Sequence, residues 1–90
     1  MYTITLSPKA YADAEKLKRN EPKAFKKANK LIEELKLHPR TGSGHPEPLR
    51  GAPVDRWSRR ITQKHRLVYR IFETEVHVEI LTTYGHYDDK

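Results

Sequence analysis

Three groups of residues in this chain are of types that can move protons or hold a phosphate. Glu47 stands between Pro46 and Pro48, so the backbone is restricted on both sides of one carboxylate. Such a residue is either a positioned general base or a solvated glutamate in a tight loop. Arg59, Arg60, Arg66 and Arg70 form the second group. Arginine grips phosphate through a planar fork and keeps its charge. The set would either stabilise a pentavalent phosphorane or make a charged, solvent-facing sheet surface. His86 and Tyr87 form the third group, just after the last predicted strand. Histidine suits both giving and taking a proton near neutrality. A His-Tyr pair so near the C-terminus also reads as a loose tail.

Other chemistries find no support. The chain has no cysteine, so disulfides and thiolate metal sites are excluded. His38, His45, His65 and His77 lack metal-ligand spacing: there is no HExxH and no helical His pair at i, i+4. No metal and no cofactor are expected. Gly42 and Gly44 do not form a phosphate-cradling loop ahead of a helix, and neither Ser7 nor Ser58 has the surroundings of a nucleophile elbow. The Tyr and Phe residues sit at core spacing, which gives no indication of a base-stacking platform.

The elements that must position these groups follow from periodicity. Tyr2–Leu6 alternates and predicts a strand with Tyr2, Ile4 and Leu6 inward. Ser7 can cap a helix that Pro8 opens. That helix runs to about Arg19, with Ala10, Tyr11, Ala14 and Leu17 on one side. Asn20-Glu21-Pro22 breaks it. A second helix, from about Pro22 to Leu37, buries Phe25, Ala28, Ile32 and Leu35, and turns Lys23, Lys26, Lys27 and Lys30 outward. Residues His38 to Pro48 are loop-rich in Pro, Gly, Ser and Thr. The period then becomes two, predicting strands over Trp57–Thr62, His65–Phe72 and Val76–Thr83. Leu67, Tyr69 and Ile71, with Val76, Val78 and Ile80, should meet the helices. Ser58, Arg60, Arg66 and Arg70 should face away, on an open cationic surface. The order β-α-α-β-β-β predicts an α+β domain, a helical hairpin packed on one face of a small, mostly antiparallel sheet.

Ninety residues make one domain, spanning 1–90 with 88–90 as a short C-terminal tail. The net charge of +6 is uneven. Residues 1–30 carry eight basic against three acidic groups, whereas 61–90 carry four against five. The basic half favours a polyanionic partner, or is a merely solvated surface. No apolar run approaches the roughly 20 residues of a membrane span. The N-terminus lacks a secretory pattern. A cytoplasmic setting without membrane contact is the expectation.

The segment WSRRITQKHRLVY, residues 57–69, closely resembles the YoeB/Txe branch of the RelE/ParE toxin superfamily, as do LIEELKLHPRTGSGHPEPLRG, residues 31–51, and the terminal GHY. The resemblance runs from about Tyr2 to Tyr87. It implies a RelE-like, microbial ribonuclease-like fold and the toxin of a type II toxin–antitoxin system. Such toxins enter the ribosomal A site and cut the bound messenger without metal. By the same resemblance Glu47, Arg66, His86 and Tyr87 are catalytic, and Arg50, Arg59 and Arg60 bind RNA or phosphate. The lysines of the second helix would dock on ribosomal RNA. A YefM-like antitoxin is implied, with homodimers in some members. The chemistry closes on the residues: Glu47 takes the 2′-hydroxyl proton, His86 protonates the leaving 5′-oxygen, and Arg66 stabilises charge on the phosphoryl oxygens. Rival readings are a non-nuclease toxin of the ParE type, acting on gyrase, and a basic RNA- or ribosome-binding module retained for antitoxin binding. Unlike many relatives, the chain continues beyond His86-Tyr87 with Asp88, Asp89 and Lys90.

Overall fold

Ser7 starts the helical hairpin in the way its side chain allows. Its hydroxyl oxygen accepts the Ala10 N–H at 3.0 Å, with Pro8 in the first turn. The same hydroxyl donates to the Leu81 carbonyl at 2.9 Å, tying the helix start to the last strand. The structure, a computed structural model, describes residues 1–49 and 55–85. Its elements are β1 (Thr3–Leu6), α1 (Pro8–Asn20), α2 (Pro22–Leu35), β2 (Glu47–Pro48), β3 (Arg56–Arg60), β4 (Arg66–Phe72) and β5 (His77–Thr82). One sheet takes the order β1-β5-β4-β3-β2, parallel between β1 and β5 and antiparallel elsewhere. The helical hairpin on a mostly antiparallel sheet is the α+β arrangement expected. The two-residue β2 is an addition: it lies inside the stretch read as loop.

The core forms where the helix stripes meet the predicted strand face. Ala10 and Leu17 of α1 and Ala24, Ala28, Leu31 and Leu35 of α2 pack on Leu67, Tyr69, Ile71, Val78 and Ile80. Leu17, Leu31, Leu35 and Leu67 are completely buried. Each contributes about 1.5–3 kcal/mol by leaving water. Alanines at 24 and 28, one turn apart, keep this face of α2 flat enough to lie close to the sheet.

Four expectations shift. Tyr11 is 64% exposed; α1 turns Ala10, Asp13 and Leu17 inward instead. Asp13 is buried because Thr82 Oγ1 donates to it at 2.5 Å and the Thr83 N–H at 3.2 Å. The α2 stripe is rotated so that Leu31 enters the core, while Phe25 and Ile32 pack at its rim. That helix ends at Leu35, because the Lys36 and Leu37 amides bond three residues back, to Glu33 and Glu34, and Leu37 is exposed. Val76 is exposed at φ 50, in the β4–β5 turn rather than on the helix-facing strand. The turn read as Glu73-Thr74-Glu75 therefore takes in one residue more.

Candidate active site

Glu47 reaches the sheet because the preceding loop is stitched down. The Gly44 carbonyl accepts the Arg60 N–H at 2.6 Å, and a Cβ on Gly44 would lie only 3.0 Å from the Arg60 carbonyl. Gly44 also adopts φ 80, a left-handed conformation that glycine enters without strain. The chain then pairs with β3, with Glu47 opposite Ser58 and Pro48 opposite Trp57. On an edge strand a proline can sit without costing a ladder bond. The two prolines that singled out Glu47 thus hold it on the outermost strand.

The strand register decides which face each side chain takes. Arg60 is opposite Arg66, Ser58 opposite Val68 and Arg56 opposite Arg70. Glu47, Ser58, Arg60, Arg66 and Arg70 therefore share the face away from the helices. Arg66 Nη1 lies 3.4 Å from Glu47 Oε1, with the side chains 26% and 60% exposed. The base candidate and the guanidinium thus meet, 19 residues apart in sequence. Arg60 is exposed beside them. The middle of this face is not open, since Ser58 and Val68 are buried. Arg70 is only half-buried, and its guanidinium carbon stands 4.5 Å from the centre of the Phe72 ring. Of the arginines on this face, Arg60 is exposed, and Arg56, Arg66 and Arg70 are each partly exposed.

Arg59 does something else, and its assignment to RNA or phosphate binding is corrected. It lies on the opposite face of β3 and is 0% exposed. Its Nε donates to the Tyr69 hydroxyl at 3.2 Å. Nη1 donates to Glu34 at 2.8 Å and to the Ser43 carbonyl at 3.3 Å. Nη2 donates to the Thr41 carbonyl at 2.8 Å and to the His38 carbonyl. All five guanidinium N–H groups have protein acceptors, so none is left for a phosphate. Arg59 instead fastens the 38–43 loop, which leads to Glu47, onto α2. Alternation carried a warning: if Arg60 faces outward, Arg59 must face the core.

Glu34 gains from this arrangement. The Ser43 hydroxyl and the Ser43 N–H, the latter at 2.9 Å, hold its carboxyl below the ordinary range, and Arg59 adds to the effect. Burial pushes the Asp13 carboxyl up, but the bonds from Thr82, Lys9 and Thr83 together outweigh it and lower the net value. Groups depressed in the folded state stabilise it above their unfolded pKa, and that contribution is lost as pH falls through the folded pKa. Thermal midpoints should hold steady above the ordinary carboxylate values of 4.5 and 3.8 and fall below them. Glu34→Gln should make that acid limb shallower in calorimetry between about pH 6 and about pH 2.5. An unchanged slope would mean that the Ser43 and Arg59 bonds to Glu34 do not form in solution.

Arg50, His86 and Tyr87 lie outside the described residues, as does the 88–90 tail. The described chain stops at Gly85, whose carbonyl accepts the Arg66 N–H at 2.9 Å. Lys23, Lys26, Lys27 and Lys30 are all exposed along α2, and none forms an ion pair among the described residues. No described helix is long and apolar enough to cross a membrane. Sequence reasoning missed His65, which is 1% exposed between Glu21 and Gly85. Its partners are 44 and 20 residues away, and no local pattern announces them.

Comparison with known proteins bears on the family and the fold. A family model described as the YoeB-like toxin of bacterial type II toxin–antitoxin systems matches residues 6–87. A Toxin YoeB from Mycobacterium bovis is 38% identical over 76 residues, covering 84% of this chain and 89% of the relative. Among solved structures, a YoeB/ParE toxin from Agrobacterium tumefaciens superposes with a TM-score of 0.87 at 35% identity, covering 94% of this chain and 99% of that one. The YoeB-YefM complex from Staphylococcus aureus contains a chain with a TM-score of 0.80 at 34% identity, covering 97% and 99%.

Proposed function

Because the chain belongs to the YoeB-like toxin family of bacterial type II toxin–antitoxin systems, we propose that it is a ribosome-dependent endoribonuclease that cuts messenger RNA in the A site. The observation that carries the reading is the 3.4 Å approach of Arg66 to Glu47 on an accessible sheet face. A carboxylate and a guanidinium so placed can take a proton and hold a phosphate at the same linkage. Apo contacts of this kind are often loose and tighten on substrate.

The RNA 2′-hydroxyl is the nucleophile, so no protein nucleophile is required. Glu47 accepts the 2′-hydroxyl proton as the 2′-oxygen bonds to phosphorus. The bond from phosphorus to the 5′-oxygen breaks, and His86 protonates that oxygen. Arg66 neutralises charge growing on the non-bridging oxygens, the kind of electrostatic aid that is often the largest catalytic contribution. Arg50 and Arg60 bind flanking phosphates, and Tyr87 orients the phosphate or stacks on a base. The products are a 2′,3′-cyclic phosphate, or a 3′-phosphate after its hydrolysis, and a 5′-hydroxyl. The partner that silences the toxin is a YefM-like antitoxin, by analogy with the Staphylococcus aureus complex. The toxin acts in the cytoplasm, where ribosomes are.

Mapping cut sites on translating and ribosome-free messenger tests this. Wild type should cut within A-site codons only when ribosomes are present. A Glu47→Ala/His86→Ala double variant should cut nothing, be harmless in cells and still bind antitoxin. A double variant that remained toxic would point to a target other than messenger RNA.

The α2 lysines have a separate role in this reading, which is docking on ribosomal RNA. Replacing Lys23, Lys26, Lys27 and Lys30 by glutamate should weaken ribosome binding. It should also flatten the salt dependence by about 0.7–0.9 in log–log slope for each phosphate that is no longer neutralised. Binding measured against potassium concentration checks it. An unaltered slope would make the stripe an ordinary solvated helix face.

A further inference from the structure

We infer that His65 is a positioning residue that sets where the C-terminal arm leaves the sheet, and so where His86 can act. The inference rests on the proposed role of His86 as proton donor.

His65 is buried at the head of β4, and both ring nitrogens are used. Nδ1 accepts the Gly85 N–H at 2.8 Å. Nε2 lies 2.7 Å from Glu21 Oε2. A ring nitrogen that accepts a backbone N–H carries no proton, so the proton of the neutral ring is on Nε2 and is donated to Glu21. Glu21 sits at the junction of the two helices. One side chain therefore links the helical hairpin to the end of the described chain.

The grip on Gly85 is two-sided. His65 takes its N–H, and the next residue, Arg66, gives its own N–H to the Gly85 carbonyl at 2.9 Å. Regular pairing of β5 with β4 ends earlier, at Thr82 opposite Val68, next to a register shift. Beyond that point the Thr83 N–H bonds to Asp13 at 3.2 Å, and the His65 and Arg66 bonds hold Gly85 itself. The Tyr84 ring packs here too, with its centroid 4.4 Å from that of His65 and Lys16 Nζ 4.5 Å away. Gly85 adopts φ 76, yet nothing lies within 4 Å of where its Cβ would be. Glycine is needed there for its backbone conformation and not for space. Holding the Gly85 N–H at His65 and its carbonyl at Arg66 fixes the origin of the arm relative to the phosphate-binding guanidinium. A buried histidine serving stability alone would need only to satisfy its nitrogens. Here one nitrogen spends its bond on the residue before the proton donor.

The test separates positioning from folding through the leaving group. A 5′-bridging sulfur departs without needing a proton, so a fault in the proton donor disappears on such a substrate. Single-turnover cleavage of ribosome-bound messenger would be measured with oxygen or sulfur at the scissile 5′ position. His65→Gln can reach Glu21 but removes the Nδ1 acceptor. It should lose about 10–100-fold on the oxygen substrate, the scale of an ångström-level misplacement, and cut the sulfur substrate at close to the wild-type rate. His65→Asn, whose side-chain oxygen can replace Nδ1, should regain most of the oxygen rate. Glu21→Ala, at a partly exposed site, frees the tautomer. It should show a smaller loss with the same sulfur rescue, which keeps the test open if substitutions at the buried ring unfold the protein. His86→Ala is the reference. If sulfur fails to rescue it, His86 is not the acid and the inference falls with that role. If sulfur rescues His86→Ala while His65→Gln and Glu21→Ala lose equally on both substrates, the acid role stands and positioning by His65 is overturned.

Discussion

Glu47→Ala should slow cleavage of ribosome-bound messenger by about 10²–10⁴-fold, the scale of a lost general base, without loss of folded protein. The two halves of that expectation have different origins. The rate falls because no other carboxylate among the described residues lies against Arg66. Stability holds because the Glu47 side chain is 60% exposed and its ion pair with Arg66 is long, at 3.4 Å. Exposed pairs of this kind contribute about 0–1 kcal/mol. Arg66→Ala should cost on the order of 10²–10³-fold, as with a lost oxyanion donor. Arg66→Lys should not restore the rate, because an ammonium lacks the planar fork. Full activity in Glu47→Ala would remove the general-base role. A collapse in thermal midpoint would show that Glu47 has a structural duty not visible in its contacts.

Arg59→Ala should do the reverse, costing stability first. It removes a buried cation that serves Glu34, Tyr69 and three loop carbonyls. Breaking one side of a buried ion pair typically costs about 3–5 kcal/mol. In a domain this small each kcal/mol moves the midpoint by about 4–8 °C, so a fall of roughly 12 °C or more is expected. That is a large share of the roughly 5–15 kcal/mol that holds a typical domain folded. Arg60→Ala is the matched control on the same strand. It is exposed, and its stability should change by no more than about 0.5 kcal/mol. Scanning calorimetry of the two variants decides the matter. An Arg59→Ala protein as stable as wild type, but weaker on RNA, would return Arg59 to the phosphate-binding set.

These two arginines show what the sequence could reveal and where it stopped. Period-two alternation correctly put Leu67, Tyr69 and Ile71 on the helix side and Arg60, Arg66 and Arg70 on the other. Ser7-Pro8 marked the start of α1, and the outward α2 lysines followed from helical spacing. Adjacent residues of one strand cannot share a face, so Arg59 and Arg60 could not both bind the same phosphate. What the local pattern could not supply was the acceptor set that makes a buried guanidinium tolerable. Glu34 is 25 residues from Arg59. The same limit hid His65 and the burial of Asp13, whose partners Thr82 and Thr83 lie at the end of β5 and just beyond it. The meeting of Glu47 with Arg66 was expected from family resemblance alone. It depends on a two-residue edge strand too short, and too rich in proline, to be read as a strand.

The most direct test of the phosphodiester mechanism is to identify the cut ends on a ribosome-bound messenger that carries either an ordinary ribose or a single 2′-O-methyl ribose at the scissile position. Attack by the 2′-oxygen predicts a 2′,3′-cyclic phosphate, or the 3′-phosphate from its hydrolysis, facing a 5′-hydroxyl on the first substrate and no cut at the blocked position on the second. A 5′-phosphate end, or undiminished cutting at the methylated ribose, would contradict it.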